Sequence, residues 1–119
     1  MTTVRGVFLN ARTTKDFASG DTIFLEGEVG DCMYGVVSGQ VELKHGANSV
    51  GTVEEGDVFG EMAIIDKSPR SLSAVAAKDC SLAVIDQREF LFLIHETPTF
   101  ALEVMSSLAD RLRRLNTQS

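Results

Sequence analysis

Short apolar segments separated by turns occupy the chain as far as Ile85. Val41 and Leu43 alternate with polar residues, which predicts a strand with one buried and one exposed face. Three Gly-Asp pairs lie between apolar segments, where tight turns need a flexible backbone and a side chain that hydrogen-bonds to it. These pairs are Gly20-Asp21, Gly30-Asp31 and Gly56-Asp57. Many short strands joined by such turns indicate a closed or sandwiched antiparallel sheet.

The remaining apolar segments complete the predicted strand set. Ser38-Gly39 has the composition of a hairpin turn that joins a strand over 32–37 to the strand around Val41. Further strands are predicted over 22–25, 49–53, 72–76 and 81–85. We therefore expect a barrel over about residues 14–85.

The pattern changes to helical after the last predicted strand. Asp86 followed by Glu89 three residues later is typical of a helix start. The next residues are apolar on most sides, so we expect this helix to be short and largely buried. Thr97-Pro98 then has the form of a second helix start, with proline in the first turn.

An apolar stripe runs along the second predicted helix, which we expect to end near Leu115. Its members recur at three- and four-residue spacing, with Ala101 and Val104 beside them. They are Met105, Leu108, Leu112 and Leu115. Arginines cluster in the last turn, where cations complement the helix dipole.

Length and charge limit the function classes. A chain of 119 residues has room for one domain. The net charge of −6 argues against direct binding of nucleic acid, because phosphate recognition needs a basic surface. No segment resembles a membrane span or a signal peptide, so a cytoplasmic protein is the default expectation. Cys32 and Cys80 are too few for a cysteine-only metal site and indicate thiols in a reducing compartment.

The segment from Phe59 to Ser73 carries the most informative chemistry. Gly60 permits a tight turn out of a strand, and residues 61–65 can form one or two helical turns with free N–H groups that attract an anion. After a turn that ends in Pro69, we expect Arg70 at the start of the next strand, facing the N-terminus of the short helix. A guanidinium there can bind two oxygens of a phosphate at once. A carboxylate such as Glu61 is an unfavourable neighbour for a phosphate unless it accepts a hydrogen bond from a hydroxyl of the same ligand. A ribose 2′-hydroxyl fits that role.

The string FGEMAIIDKSPRSLSAVA resembles the phosphate-binding cassette of the cyclic nucleotide-binding domain, found in catabolite-activator-type regulators, kinase regulatory subunits and gated channels. The upstream string FLEGEVGDCMYGVVSGQVEL resembles another part of that fold. The resemblance implies an antiparallel β jelly-roll barrel, a short cassette helix between strands and two C-terminal helices over about 86–115. It also implies a non-catalytic sensor of a cyclic nucleotide.

The resemblance implies a ligand set as well. Arg70 would pair with the cyclic phosphate, Glu61 would accept from the ribose 2′-hydroxyl, and the remaining contacts would come from Gly60, Met62, Ala63 and Ser71. Arg111 would support Glu61, and Leu115 and Asn116 would cover the base. The sequence does not decide between cyclic AMP and cyclic GMP, although Ser71, where some guanine-selective relatives have threonine, mildly favours cyclic AMP.

Three departures from the family pattern matter. Only residues 1–13 precede the first expected strand, where relatives have helices. Leu72 stands where alanine is common, which predicts a narrower pocket. Transcription-factor members continue into a helix-turn-helix beyond the position of Leu115, so we expect no DNA-binding domain in this chain.

Two alternatives stay open. A jelly-roll interaction module with an unoccupied pocket would use the last helix to form a homodimer, with an effector protein that the sequence does not identify. A cupin-like metal enzyme is less consistent with the sequence, since His45 and His95 are fifty residues apart and form no H-x-H pair. A nucleophilic hydrolase is unsupported, because no serine or cysteine has an activating context.

Overall fold

Two four-stranded antiparallel sheets form the barrel, and the last two helices follow it in the chain. The computed structural model describes residues 13–117, with the side chains of residues 13–113. One sheet has the order β1-β8-β3-β6 and the other β2-β7-β4-β5. The predicted fold class is confirmed. In chain order the elements are β1 (Thr14–Phe17), β2 (Thr22–Phe24), β3 (Cys32–Ser38), β4 (Val41–His45), β5 (Asn48–Val53), β6 (Val58–Phe59), α1 (Met62–Ile65), β7 (Ser73–Ala76), β8 (Cys80–Asp86), α2 (Gln87–Glu96) and α3 (Thr99–Thr117).

The space between the sheets is filled by apolar side chains that alternate along their strands. On β4, Val41 and Leu43 are buried while their neighbours are partly exposed, which confirms the predicted half-buried strand. Three rings from different strands stack at one end of this core. Phe24, Tyr34 and Phe59 have ring centroids 5.3 to 6.1 Å apart. Burial of such rings contributes much of the stability of a small domain.

Strand β3 is buried on both faces, which explains its nearly continuous apolar sequence. Tyr34 and Val36 point into the barrel. Met33 points to the opposite side and joins a second core with Ile85 of β8 and Phe100 of α3. A strand covered on both sides needs apolar residues at successive positions rather than at alternate ones. The helices are therefore packed against the outer face of the first sheet.

The expected position of Arg70 at a strand start is wrong. Strand β7 begins at Ser73, and Arg70 lies in the preceding loop. The loop hydrogen-bonds to the β2–β3 connection, since Arg70 N–H donates to Glu28 O at 2.8 Å. The short strands β1 and β6 were expected after residue 13 and before Gly60, but the sequence gave no bounds for them, because four-residue and two-residue segments carry little periodicity.

The expectation that α2 is largely buried is also wrong. Its N-terminus is as predicted, since the Asp86 side chain accepts from Glu89 N–H at 2.8 Å. However, the helix has no fully buried residue, and the side chains of Leu91 and Phe92 are 59% and 50% exposed. The helix rests on the sheet and on Phe100 along one side only. Its apolar residues surround the axis, so the others face solvent.

The apolar stripe predicted for α3 divides between two faces of the helix. Phe100 and Val104 are buried against the sheet, and Leu108 is partly buried beside them. Met105 and Leu112 point away from the barrel and are 55% and 62% exposed. Residues three or four positions apart lie on the same side of a helix. Packing determines which side faces the sheet.

Both cysteines are buried and carry free thiols. Burial raises the pKa of the Cys80 thiol, and the carboxylates of Asp16, Asp79 and Asp21 raise it further. This thiol therefore stays protonated and poorly nucleophilic at neutral pH. Within residues 13–117, no helix combines the length and the apolar character that a membrane crossing requires.

The cap of α2 can be tested by substitution at Asp86. We expect Asp86→Ala to lower the free energy of unfolding by about 1 kcal/mol, because Glu89 N–H loses its acceptor. Asp86→Asn should retain most of the stability, since asparagine caps equally well. Urea denaturation of the three proteins measures the difference. Equal stability of the alanine and asparagine variants would contradict the role of the cap.

Candidate functional site

A cavity opens where β2, β4 and β6 meet α1, the loop before β7, and α3. It contains about 360 Å³ of space, part of it open to solvent. The sequence-predicted residues around it are Gly60, Glu61, Met62, Ala63, Arg70, Ser71 and Arg111. Its other walls are apolar and come from Phe24, Leu43, Phe59, Pro69 and Leu72. Of these, only Leu72 was expected from the sequence to line the pocket.

Glu61 lies at the N-terminus of α1 and is only 3% exposed. Arg111 of α3 supplies its counter-ion, since Nη1 donates to Glu61 Oε1 at 3.0 Å. Nη2 of the same guanidinium donates to Val58 O at 2.6 Å. The predicted pairing of these two side chains is thus present across fifty residues of sequence. It ties the last helix to the strand and turn that carry the cassette.

Arg70 is the second buried charge of the cavity, at 7% exposure. Its Nη1 donates to Gly60 O at 2.9 Å, and its guanidinium carbon lies 4.1 Å from the centroid of the Phe24 ring. A cation over an aromatic face is stabilised by the negative potential of the ring. Nη2 lies 3.9 Å from the Cys32 thiol, a weak acceptor. Burial raises the pKa of the neighbouring Tyr34, which stays a neutral phenol.

No carboxylate among residues 13–113 pairs with Arg70. Glu61, the acid of the same cavity, is paired with Arg111 instead. A buried cation without a counter-ion is costly, because the interior solvates charge poorly. The carbonyl of Gly60 and the ring of Phe24 offset only part of that cost. The cavity therefore has a net attraction for an anion beside Arg70.

The main chain of Arg70 is fixed from both sides by the β2–β3 connection. Arg70 N–H donates to Glu28 O at 2.8 Å, and Arg70 O accepts from Gly27 N–H at 2.7 Å. The connection is itself closed by a turn in which Leu25 N–H donates to the Glu28 side chain. The two informative sequence segments therefore meet at Arg70, which is more than forty positions after Gly27 and Glu28 in the chain.

Backbone amides complete the polar side of the cavity. Ile64 and Ile65 N–H both donate to Glu61 O, so the earlier amides of Met62 and Ala63 have no acceptor within the turn. Gly60 has φ +75°, a conformation that favours glycine. It places its carbonyl on Arg70 and turns the chain into α1.

A second cavity adjoins the first and contains about 730 Å³ of space, part of it open to solvent. The two share Leu43, Leu72 and Arg111 as lining residues. The second adds Val50, Gly51 and Thr52 of β5, and His45 at the end of β4. The sequence predicted this strand but not that its residues line a cavity, because an alternating strand pattern does not show which residues border a cavity.

The predicted base-covering residues Leu115 and Asn116 have side chains outside the described residues. Their backbone belongs to α3.

The sequence matches a known domain family and proteins of known identity. The family model of the cyclic nucleotide-binding domain matches residues 14–97. The CRP-like cAMP-activated global transcriptional regulator of Mycobacterium tuberculosis is 34% identical over 106 residues, 85% of this chain and 47% of that protein. The cAMP-dependent protein kinase regulatory subunit of Hypocrea atroviridis is 33% identical over 90 residues, 76% of this chain and 20% of that protein.

A solved structure gives the same result. The crystal structure of Thermus thermophilus Catabolite Activator Protein superposes with a TM-score of 0.79 at 31% identity, over 97% of this chain and 56% of that one. The chain thus spans about half the length of the bacterial regulator and a fifth of the kinase subunit. Since the family model matches well over half of its residues, the chain belongs to the cyclic nucleotide-binding domain family.

Proposed function

We propose that this chain binds a 3′,5′-cyclic nucleotide, cyclic AMP in preference to cyclic GMP, as a non-catalytic sensor module. One observation carries the proposal: Arg70 is buried at the cavity wall, and no carboxylate among residues 13–113 pairs with it. A phosphodiester supplies the missing negative charge. Its two free oxygens suit the paired N–H groups of a guanidinium.

The phosphate would sit between Arg70 and the first turn of α1. The amides of Met62 and Ala63, with those of Gly60 and Ser71, would complete the phosphate contacts. Amides are suitable partners because they carry partial positive charge and need no counter-ion. The net charge of −6 makes such local recognition necessary, since the overall field repels anions.

The ribose would bind through Glu61. Its Oε1 accepts from Arg111, which holds the carboxylate in place and leaves Oε2 to accept from a 2′-hydroxyl. A single buried carboxylate would otherwise repel a phosphate. Paired with a cation on one side and a hydroxyl on the other, it becomes compatible with an anionic ligand.

The base would occupy the second cavity, between β5 and α3. Leu43 and Leu72 separate the two cavities, and Val50, Gly51 and Thr52 line the outer one. We also propose that Leu115 and Asn116 cover the base. The preference for the adenine nucleotide is supported by the names of the bacterial and fungal relatives, both of which refer to cyclic AMP.

The exposed face of α3 supports a second part of the proposal, a homodimer. Leu102, Met105, Ala109 and Leu112 follow a three-four-three spacing, which is the pattern of a helix that pairs with a copy of itself. Leu102, Met105 and Leu112 are each more than half exposed. A second copy of α3 would cover them.

Calorimetric titration with both cyclic nucleotides tests the binding proposal directly, and absence of binding would favour the interaction module with an unoccupied pocket.

The role of Arg70 can be measured with three variants. We expect Arg70→Ala to weaken cyclic AMP binding by roughly 1.5–3 kcal/mol, because a charged hydrogen-bond donor is lost at a desolvated site. Arg70→Lys should recover only part, since an ammonium lacks the planar fork. Arg113→Ala removes an exposed cation of equal charge and serves as the control. Unchanged affinity in folded Arg70→Ala would contradict the central claim.

Glu61 predicts discrimination at the 2′ position of the sugar. Wild-type protein should bind 2′-deoxy cyclic AMP roughly tenfold more weakly than cyclic AMP, because a buried acceptor loses its partner. In Glu61→Ala, which removes the acceptor, this ratio should fall toward one, whereas Glu103→Ala, an exposed position on α3, should leave it unchanged. Competition binding gives the ratios. A folded Glu61→Ala protein that discriminates as wild type does would place the ribose contact elsewhere.

The dimer is tested by placing charge on the exposed face of α3. Sedimentation should show a wild-type dimer, and Met105→Glu with Leu112→Glu should give monomers, because like charges would face each other across the pair. Ser106→Glu, also exposed on α3, is the matched control and should stay dimeric. A monomeric wild-type protein at all concentrations would contradict this part of the proposal.

A further inference from the structure

The guanidinium of Arg70 lies in a slot, with an aromatic ring on one side and a glycine on another. Its carbon is 4.1 Å from the centroid of the Phe24 ring. A β-carbon added to Gly30 would lie 2.5 Å from Nε and 2.6 Å from Nη2 of Arg70, closer than non-bonded atoms approach. The backbone of Gly30 is therefore packed directly against the charged group.

The backbone conformation of Gly30 does not explain why glycine stands there. Gly30 is not among the residues with positive φ, so alanine could adopt its conformation without strain. Gly27, in the same connection, differs in both respects: its φ is +88°, and an added β-carbon would meet no atom within 4 Å. Gly27 serves the turn, whereas Gly30 leaves room for Arg70.

We propose that Gly30 is a positioning residue for the anion site. Because it has no side chain, the guanidinium can lie flat between the loop and Phe24 with Nη1 on Gly60 O. A methyl group at position 30 would push the guanidinium out of this slot and move its N–H groups from the positions that they hold at the cavity wall. Gly30 does not line the cavity that Arg70 lines. The inference rests on the proposed function, in which Arg70 binds the phosphate.

A double-mutant cycle of Gly30→Ala and Arg70→Ala separates this role from a general structural one. With Arg70 present, Gly30→Ala should weaken cyclic AMP binding roughly tenfold, because part of a charged hydrogen bond is lost. With Arg70→Ala already present, the added methyl group meets empty space and should change affinity little. Non-additivity of this kind is expected only for side chains in contact.

A ligand without the phosphate gives a second readout. Adenosine has no anion for Arg70, so Gly30→Ala should lower the affinity ratio of cyclic AMP to adenosine while adenosine binding changes little. The control is Gly20→Ala, which introduces a methyl group at φ +94° with no atom nearby. It should cost stability from backbone strain and leave the ratio at its wild-type value.

Urea denaturation without ligand completes the test. Gly30→Ala should destabilise the protein more with Arg70 present than with Arg70→Ala. If Gly30→Ala alone fails to fold and the double variant folds, the contact is likewise supported. Additive effects on affinity and stability, or two unfolded variants, would overturn the proposal. If wild-type protein binds no cyclic nucleotide, the proposed function fails, while the ligand-free cycle still decides whether Gly30 positions Arg70.

Discussion

The site depends on the burial of the Arg70 guanidinium, with which no carboxylate among residues 13–113 pairs. A cation removed from water loses several kcal/mol of solvation, and a domain of this size is stable by only about 5–15 kcal/mol. The protein compensates with Gly60 O, the face of Phe24 and main-chain hydrogen bonds that fix the residue from both sides. These contacts offset only part of the cost of burying the charge. A carboxylate at that place would offset more of it, but it would compete with an anionic ligand. The remaining deficit is what a phosphodiester can satisfy.

Glu61 is the other buried charged residue of the cavity, and it has a counter-ion within the protein. Glu61 is paired with Arg111 on the last helix, so its charge is neutralised within the protein. Arg111 also bonds to Val58 O, and Ser107 one turn earlier bonds to Asp57. These contacts make the orientation of α3 sensitive to whatever contacts Glu61. A ligand that binds this carboxylate therefore acts on the helix as well as on the barrel, which is the physical requirement for a sensor.

The two faces of β3 and β8 pack against different parts of the protein. Residues of β3 and β8 that point into the barrel form the core beneath the cavity, and those that point outward hold α3 through Phe100 and Val104. The aromatic cluster is common to both purposes, because the Phe24 ring packs on Tyr34 and Phe59 and also carries the guanidinium. The rigid core thus fixes the position of the charge.

The sequence by itself determined what depends on neighbouring residues. Alternation identified β4, the spacing of Asp86 and Glu89 identified the start of α2, and the order of Gly60, Glu61 and Arg70 identified the cassette. These features are local, because each follows from residues within about ten positions of one another, within the reach of strand and helix periodicity. The family resemblance added the pairing of Arg111 with Glu61, which no local pattern indicates.

Tertiary structure alone decided the rest. The partial exposure of α2, the division of the α3 stripe and the position of Arg70 before β7 all depend on which surfaces the barrel presents. The contact of Gly30 with Arg70 joins residues forty positions apart. A glycine in a turn-like sequence predicts a flexible backbone, and only the folded chain reveals that its missing side chain makes room for a charge. Periodicity records which residues prefer to be buried, whereas packing between distant segments determines against what they are buried.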